Sequence, residues 1–203
     1  MTSPIFNRLI PELERVGYAA VAPNLPSSGT TPPTPNWDQD IEVICRTISK
    51  LVVERDVVVG MQSFSGMTGG TALEGLDKIA CATKGWKGGV VRLIYITAFL
   101  VLEGSQHLPR GTRDSMVPEM KTDMEKGRVT VMAEDPEPMF YQDIDDDTVA
   151  ALAKELRPQS LGSYWDTATI ADFIDAAKAS GSHGIDKVIE VDSSHSPFIS
   201  KPE

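Results

Sequence analysis

Residues 56 to 70 read Asp-Val-Val-Val-Gly-Met-Gln-Ser-Phe-Ser-Gly-Met-Thr-Gly-Gly. The valines near its start, residues 57–59, are β-branched and follow one another without a polar residue between them, which predicts a parallel strand buried on both faces. Small residues crowd the positions that follow, as a tight turn needs if a helix is to pass close to the sheet. The stretch therefore predicts that Ser63 lies at the tip of a sharp turn between a strand and a helix.

A serine at such a tip has two interpretations. In a nucleophile elbow, a strained turn lifts the serine hydroxyl clear of the sheet and aims it toward a helix. The usual pattern places small residues two before and two after the serine, and here Ser65 fits whereas Met61 does not. The alternative is an ordinary strand-to-helix turn, in which serine is a common N-cap.

Length and charge restrict the class of protein. A chain of 203 residues is long enough for one domain with a sizeable core, and we expect a single domain over residues 1–203. A net charge of −10 and a pI near 4.8 argue against a nucleic-acid partner, because binding phosphates needs clustered Lys and Arg. The sequence has no apolar run long enough for a membrane span and no signal-peptide pattern, so we expect a cytoplasmic protein.

The order of predicted elements indicates an α/β fold. Strands that are almost wholly apolar alternate with helices, which is typical of a mostly parallel sheet with helices on both faces. The segment from residue 103 to about 160 breaks this alternation and is interpreted as a cap-like insertion, with a short hairpin near residues 128–132. Helical spacing predicts helices at residues 4–16, 36–54, 66–76, 148–156 and 166–180, and apolar runs predict strands at 18–22, 57–59, 90–99 and 187–191.

The sequence predicts neither a metal site nor a cofactor site. Residues 143–147 form an acidic cluster, but it has no ligand spacing such as that of an EF-hand loop. Carboxylates at this position are expected in the first turn of the helix that follows, where they interact favourably with its N-terminus. Cys45 and Cys81 have no metal-binding or redox spacing and are expected to be buried thiols.

His195 is the histidine best placed for chemistry. It follows the last predicted strand, and sites in open α/β sheets lie at the carboxyl ends of strands. The order serine, acid, then histidine after the final strand is that of α/β-hydrolases, so His195 is predicted to act as general base for Ser63. His107 and His183 are expected to be solvated.

Seven segments carry a resemblance to a known family: residues 5–13, 17–18, 22–26, 57–66, 88–96, 156–161 and 195–198. Together they resemble the α/β-hydrolase esterases of the AB-hydrolase-1 group, which are relatives of plant methylesterases and hydroxynitrile lyases. The resemblance implies that Ser63 is the nucleophile, that His195 is the base and that the backbone N–H of Phe64 is an oxyanion donor. It also implies that the insertion shapes an acyl pocket.

The chain departs from this family at the positions around the serine and the acid. Gln62 stands where the family usually has histidine, and Phe64 where tyrosine is common. Family members begin with a strand and a His-Gly-type loop, and they place an acid after a strand that has no counterpart between residues 169 and 176. We therefore expect a fold that lacks some core strands. The candidate acids are Glu103, Asp166, Asp172 and Asp175.

The function predicted from the sequence is a serine-dependent acyl hydrolase, of the esterase or lactonase type, acting on a small apolar ester through Ser63 and His195. One alternative is a non-hydrolytic protein of the same fold, such as a lyase, a cyclase or a ligand-binding protein. Another is a shortened product with vestigial activity. The expected partner is a small-molecule substrate, and an exposed sheet edge would allow a homo-oligomer.

Overall fold

The computed structural model describes residues 4–114, 116–131, 136–168 and 187–201. The chain divides into two compact units. The first comprises residues 1–37, 108–165 and 191–203, and the second comprises residues 38–107 and 166–190. The helices are α1 (Leu9–Arg15), α2 (Asp38–Val52), α3 (Ser65–Thr71), α4 (Lys78–Thr83), α5 (Pro136–Phe140), α6 (Asp146–Glu155) and α7 (Pro197–Ser200), and the strands are β1 (Val57–Gln62), β2 (Val90–Ile96), β3 (Met120–Asp123), β4 (Arg128–Val131) and β5 (Gln159–Ser160).

The second unit contains a parallel pair of strands with helices connected to it. β1 and β2 run parallel, and their register sets Gly60 opposite Ile94 and Gln62 opposite Ile96. α2 precedes β1 and contacts both β1 and α3, while α3 begins directly after the turn that follows β1. The predicted strand, turn and helix are therefore present. Parallel strands with intervening helices are the arrangement expected of an α/β fold.

The valine strand is not buried on both faces, which corrects the prediction from its composition. Met61 is only 2% exposed, whereas Val58 is 46% exposed. Ile94, which pairs with Gly60 on the same face of the sheet as Val58, is also 46% exposed. α3 packs on the face that carries Met61, because a Cβ placed on Gly69 would lie 2.6 Å from the Met61 sulfur. A run of apolar residues shows that a strand can be covered, but the surrounding elements decide which of its faces is covered.

Gly66 lets α3 approach the segment after β2. A Cβ placed at this position would lie 2.2 Å from the carbonyl oxygen of Phe99 and 2.9 Å from its nitrogen. Both atoms belong to the backbone, so they cannot move aside as the end of a side chain would. The close packing predicted from the small residues of this stretch therefore exists, and Gly66 makes it possible.

We expect Gly66→Ala to lower the free energy of unfolding by about 3 kcal/mol, because the added methyl group overlaps backbone atoms. Gly60→Ala is the matched control, since a Cβ there meets nothing within 4 Å. That change should be neutral or slightly stabilising in a strand. Urea unfolding of the two variants measures both effects, and equal midpoints would contradict the close approach.

The first unit contains an antiparallel sheet in the order β3, β4, β5. β3 and β4 pair through Thr122 and Val129, so the hairpin predicted near residues 128–132 is present, with its first strand at Met120–Asp123. α6 begins after Asp145, whose carboxylate accepts a hydrogen bond from the Thr148 N–H at 2.9 Å. The acidic cluster thus supplies the N-cap of this helix, as its sequence predicted.

Two predicted strands do not form. Residues 18–22 adopt no regular strand, and residues 187–191 have an irregular conformation. Tyr18 and Val21 are 63% and 56% exposed, and Val188 and Ile189 are 77% and 67% exposed. A strand is stabilised by ladder hydrogen bonds to a neighbour, and in the described part of the chain neither segment belongs to a sheet. Most of the predicted helix 166–180 lies outside the described residues.

The N-terminal helix lies within its predicted range but is shorter. α1 begins at Leu9, after a short 3-10 turn at Pro4–Phe6, and Gly17 ends the helix with a φ of +93°. Cys81 is fully buried and Cys45 is half-buried, and neither forms a disulfide.

Among the described residues, no helix has the length and apolar character needed to cross a membrane. No group of three or more His, Cys, Asp or Glu side chains in those residues is placed to bind a metal ion.

Candidate active site

The backbone of Ser63 adopts the left-handed conformation, with a φ of +54°. This conformation is uncommon for residues other than glycine, and residues held in it cluster at functional sites. Ser63 lies between the last residue of β1 and the first turn of α3, with its side chain half-buried. We call residues 62–66 the Ser63 turn. Its geometry is that of the strained strand-to-helix corner predicted from the sequence.

Hydrogen bonds hold the Ser63 turn on both sides. The Ser63 N–H donates to the Ile96 carbonyl at 3.3 Å, and the Ser63 carbonyl accepts from the Phe99 N–H at 3.1 Å. The Ser65 hydroxyl lies 2.8 Å from the Gln62 nitrogen and 2.7 Å from the Gln62 oxygen. The strained residue is thus tied to the end of β2 by its own peptide groups, which compensates for its unfavourable conformation.

Met61 stands two residues before Ser63, where the usual pattern has a small residue, and its packing against α3 explains why a large side chain fits there. Its side chain extends beneath α3 and lies against the position of Gly69, so the residue is almost fully buried. A large side chain can stand two residues before the serine here because a glycine in the helix leaves space for it. The sequence pattern treats the two positions separately, whereas the structure shows that they are complementary.

His107 was expected to be solvated, but it is half-buried against aromatic rings. Its ring is in edge contact with Phe99, at a centroid distance of 5.0 Å, and with Phe64, at 6.1 Å. We call these three residues the aromatic cluster. Burial lowers the pKa of His107 below its ordinary value, because removal from water disfavours the charged ring. The neutral imidazole is therefore the dominant form at pH 7.

Two of the candidate acids lie near one another in the second unit. Glu103 is exposed and directly precedes Gly104, whose N–H donates to the Ala168 carbonyl at 2.8 Å. The Ala168 N–H in turn donates to the Ser105 carbonyl at 2.9 Å, and Asp166 stands two residues before Ala168. The segment after β2 is therefore paired with the segment that carries Asp166. Asp172 and Asp175 lie outside the described residues.

His195 belongs to the first unit and is held there by the C-terminal segment. Its ring packs against Phe140 in a tilted orientation, at a centroid distance of 5.5 Å and an interplanar angle of 36°. α7 follows two residues later, and its Phe198 is buried against the ring of Phe6 at 5.0 Å. Burial lowers the pKa of His195, so the neutral ring that a general base requires is favoured near pH 7.

Asp143 is a residue near His195 that the sequence interpretation assigned only to a helix cap. Its Oδ2 accepts a hydrogen bond from the Ser200 hydroxyl at 2.8 Å, which joins it to α7. Burial raises its pKa, but hydrogen bonds from Ser194 and Ser200 outweigh burial and leave the pKa lowered. Ser194 and Ser200 stand on either side of His195 in the sequence. Asp143 therefore anchors the segment that carries His195, and no periodicity or spacing could have predicted this.

Comparison with known proteins shows the family of the chain. The model of the alpha/beta hydrolase family matches residues 2–203. The chain belongs to the alpha/beta hydrolase family. This alpha/beta hydrolase is also 35% identical over 100 residues to alpha/beta hydrolase nvfD from Aspergillus novofumigatus (strain IBT 16806). The match covers 49% of the chain and 39% of that relative, so the matched part of the chain spans well under half the length of nvfD.

Solved structures show the same fold in esterases and hydrolases. Polyneuridine aldehyde esterase superposes with a TM-score of 0.63 and 16% identity, covering all of this alpha/beta hydrolase and 91% of that chain. The methylesterase MES16 from Arabidopsis gives a TM-score of 0.64 with 16% identity, covering 99% and 89% of the two chains. The pyrethroid hydrolase PytH superposes with a TM-score of 0.66 and 16% identity, covering 99% of this chain and 88% of that chain. The resemblance to methylesterases, stated from the sequence, is confirmed at the level of the fold.

Proposed function

We propose that this alpha/beta hydrolase is a serine-dependent acyl hydrolase, of the esterase or lactonase type, that acts on a small apolar ester. The observation that carries the proposal is the left-handed backbone of Ser63 at the junction of β1 and α3. A strained serine at this corner of an α/β sheet is the geometry that presents a hydroxyl as a nucleophile. The esterase neighbours support the fold in which such chemistry occurs.

In the proposed reaction, the Ser63 hydroxyl attacks the carbonyl carbon of the ester. His195 takes the hydroxyl proton as general base and then returns it to the leaving alcohol, so that an acyl-enzyme forms and the C–O bond to the alcohol breaks. The Phe64 N–H, at the start of α3, stabilises the oxyanion. A water molecule, activated by the same imidazole, then releases the acid and restores Ser63.

Labelling with a fluorophosphonate tests the proposed nucleophile. An activated serine displaces fluoride and becomes covalently phosphonylated, whereas an ordinary serine does not react at a comparable rate. We expect one adduct on the intact protein, and peptide mapping should place it on Ser63. If the folded wild-type protein hydrolyses no ester and takes no label, the proposal is wrong.

The pH dependence of kcat/KM gives a second test. The free enzyme is active when His195 is neutral, and burial lowers the pKa of this ring below 6.5. The rate should therefore rise with pH through a midpoint below 6.5 and level off at higher pH. Burial also lowers the pKa of His107, so the profile is repeated with His107→Gln, in which the same midpoint is expected. A midpoint above 6.5, or one that disappears with His107, would contradict the role of His195.

A non-hydrolytic member of the same fold is the second candidate. It is favoured by Gln62, which stands where the resembling esterases usually carry histidine. A protein of this kind would bind the same small apolar molecules but would take no fluorophosphonate label, and replacing Ser63 would leave its affinity unchanged. Labelling and ligand binding, measured on one preparation, therefore separate the two candidates.

A further inference from the structure

The aromatic cluster is attached to the Ser63 turn by both its backbone and its rings. Phe64 is the next residue after Ser63, and the Phe99 N–H donates to the Ser63 carbonyl at 3.1 Å. His107 completes the cluster through edge contacts with both phenyl rings. All three residues belong to the second unit, as does Ser63. The cluster is therefore held next to the backbone of Ser63.

The cluster also presents apolar surface next to the serine. Phe99 is 39% exposed, and Leu100, which follows it, is 48% exposed. Apolar surface concentrated beside a reactive group is typical of a ligand site, because a soluble protein seldom leaves a large apolar patch open without a use. The hydrogen bond from the Phe99 N–H to the Ser63 carbonyl holds the backbone of Phe99 at the Ser63 turn.

The backbone on which the His107 ring stands is held by pairing between two segments. Gln106 donates a hydrogen bond from its side-chain nitrogen to the Thr167 hydroxyl at 2.8 Å, and the same two residues form a β-bridge. His107 follows directly and is half-buried against the phenyl rings. A ring held by backbone pairing loses little further freedom when a ligand binds, so the cluster is preorganised.

We propose that the aromatic cluster is the acyl-binding wall of this hydrolase and selects esters whose acyl group carries a planar aromatic ring. The inference rests on the proposed acyl transfer to Ser63. Aromatic rings attract one another in edge-to-face and offset geometries beyond the gain from buried area. The acyl group is transferred to Ser63 in the first half-reaction and is released only in the second, whereas the alcohol leaves in the first. Rings tied to the serine backbone can therefore contact the acyl group throughout.

The test uses two methyl esters that differ only by a phenyl ring, methyl 3-phenylpropanoate and methyl propanoate. We expect the ratio of their kcat/KM values to favour the phenyl ester in the wild type. Phe99→Leu keeps apolar volume but removes the ring, and it should lower this ratio about tenfold, mostly through KM. His107→Leu should lower it in the same direction. Leu102→Ala, a 79% exposed position in the same segment, is the matched control and should leave the ratio unchanged.

A binding measurement separates this inference from the proposed function. The Ser63→Ala protein is titrated calorimetrically with 4-phenyl-2-butanone and with 2-butanone, which also differ only by a phenyl ring. The phenyl ketone should bind more tightly, and Phe99→Leu in that background should weaken it about tenfold. This result would support the wall even if the wild type hydrolysed no ester. If Phe99→Leu had the same ratio of kcat/KM values for the two methyl esters as the wild type, the inference would be wrong. It would also be wrong if Phe99→Leu lowered kcat/KM for benzyl acetate, whose ring is on the alcohol side, but not for methyl 3-phenylpropanoate.

Discussion

Replacing Ser63 with alanine is expected to lower kcat for ester hydrolysis by a factor on the order of 10⁴ to 10⁶ and to abolish fluorophosphonate labelling. The hydroxyl is the atom that forms the bond to the acyl carbon, and no base can activate a methyl group. The fold should survive, because alanine is smaller than serine and the hydrogen bonds that hold the turn come from the Ser63 peptide groups. Steady-state kinetics and intact-protein mass after labelling measure the two effects.

Ser65→Ala is the matched control for this change. Its hydroxyl lies within hydrogen-bond distance of the Gln62 backbone, so its loss should cost about 1 kcal/mol of stability. Labelling and turnover should persist. If Ser65→Ala abolished labelling while Ser63→Ala retained it, the nucleophile would be Ser65, and the strained conformation of Ser63 would have another cause.

Replacing His195 with alanine is expected to lower kcat by a factor on the order of 10⁴ or more, because Ser63 then has no base to remove its proton. Labelling by the fluorophosphonate should slow by a similar factor, since it depends on the same activated oxygen. Stability should fall only modestly, because Phe198 and Ile199, which anchor the segment, stay buried. Single-turnover kinetics with an aryl ester measures the loss in the chemical step.

Chemical rescue distinguishes a base from a structural histidine. Free imidazole can occupy the space left by the ring beside Phe140 and should restore part of the activity of His195→Ala. Ser193→Ala, in the same loop, should keep wild-type kinetics, because its hydroxyl donates to the neighbouring Ser194 carbonyl. Full activity of His195→Ala would assign the base to another group.

In the proposed mechanism, several carboxylates could serve as the acid that orients His195. Losing the acid of a triad costs on the order of 10⁴ in kcat but leaves measurable catalysis. Asp143 holds the segment around His195 through Ser200, so it can position the ring without touching it. Asp143 was not among the acids predicted from the sequence; of those that were, Glu103 and Asp166 are described by the structure and lie on two paired segments of the second unit.

The strand, the turn and the helix around Ser63 could be predicted from residue types because each depends on local chemistry. Three consecutive valines favour extended backbone, and small residues permit a tight corner with a helix close behind it. The cap of α6 by Asp145 was predictable for the same reason, since an N-cap carboxylate needs only its own N-terminal turn. The family, too, followed from these local segments, and the match over residues 2–203 confirms it.

Features that depend on distant partners could not be predicted in this way. The segment at residues 18–22 has the composition of a strand but forms none, because a strand also requires a neighbour. His107 was expected to be solvated because nothing in the sequence places Phe64 or Phe99 beside it. The exposed face of β1 at Val58 was expected to be buried for the same reason.

The sequence by itself therefore determined the family of the chain and the local corner that carries Ser63. Tertiary structure decided how that corner is held: the Ser63 peptide bonded to Ile96 and Phe99, Met61 packed against Gly69, and Asp143 bonded to Ser200. The physical reason is range. Backbone preference and side-chain size act within a few residues, whereas hydrogen bonds and packing between segments far apart in the chain exist only after the chain has folded.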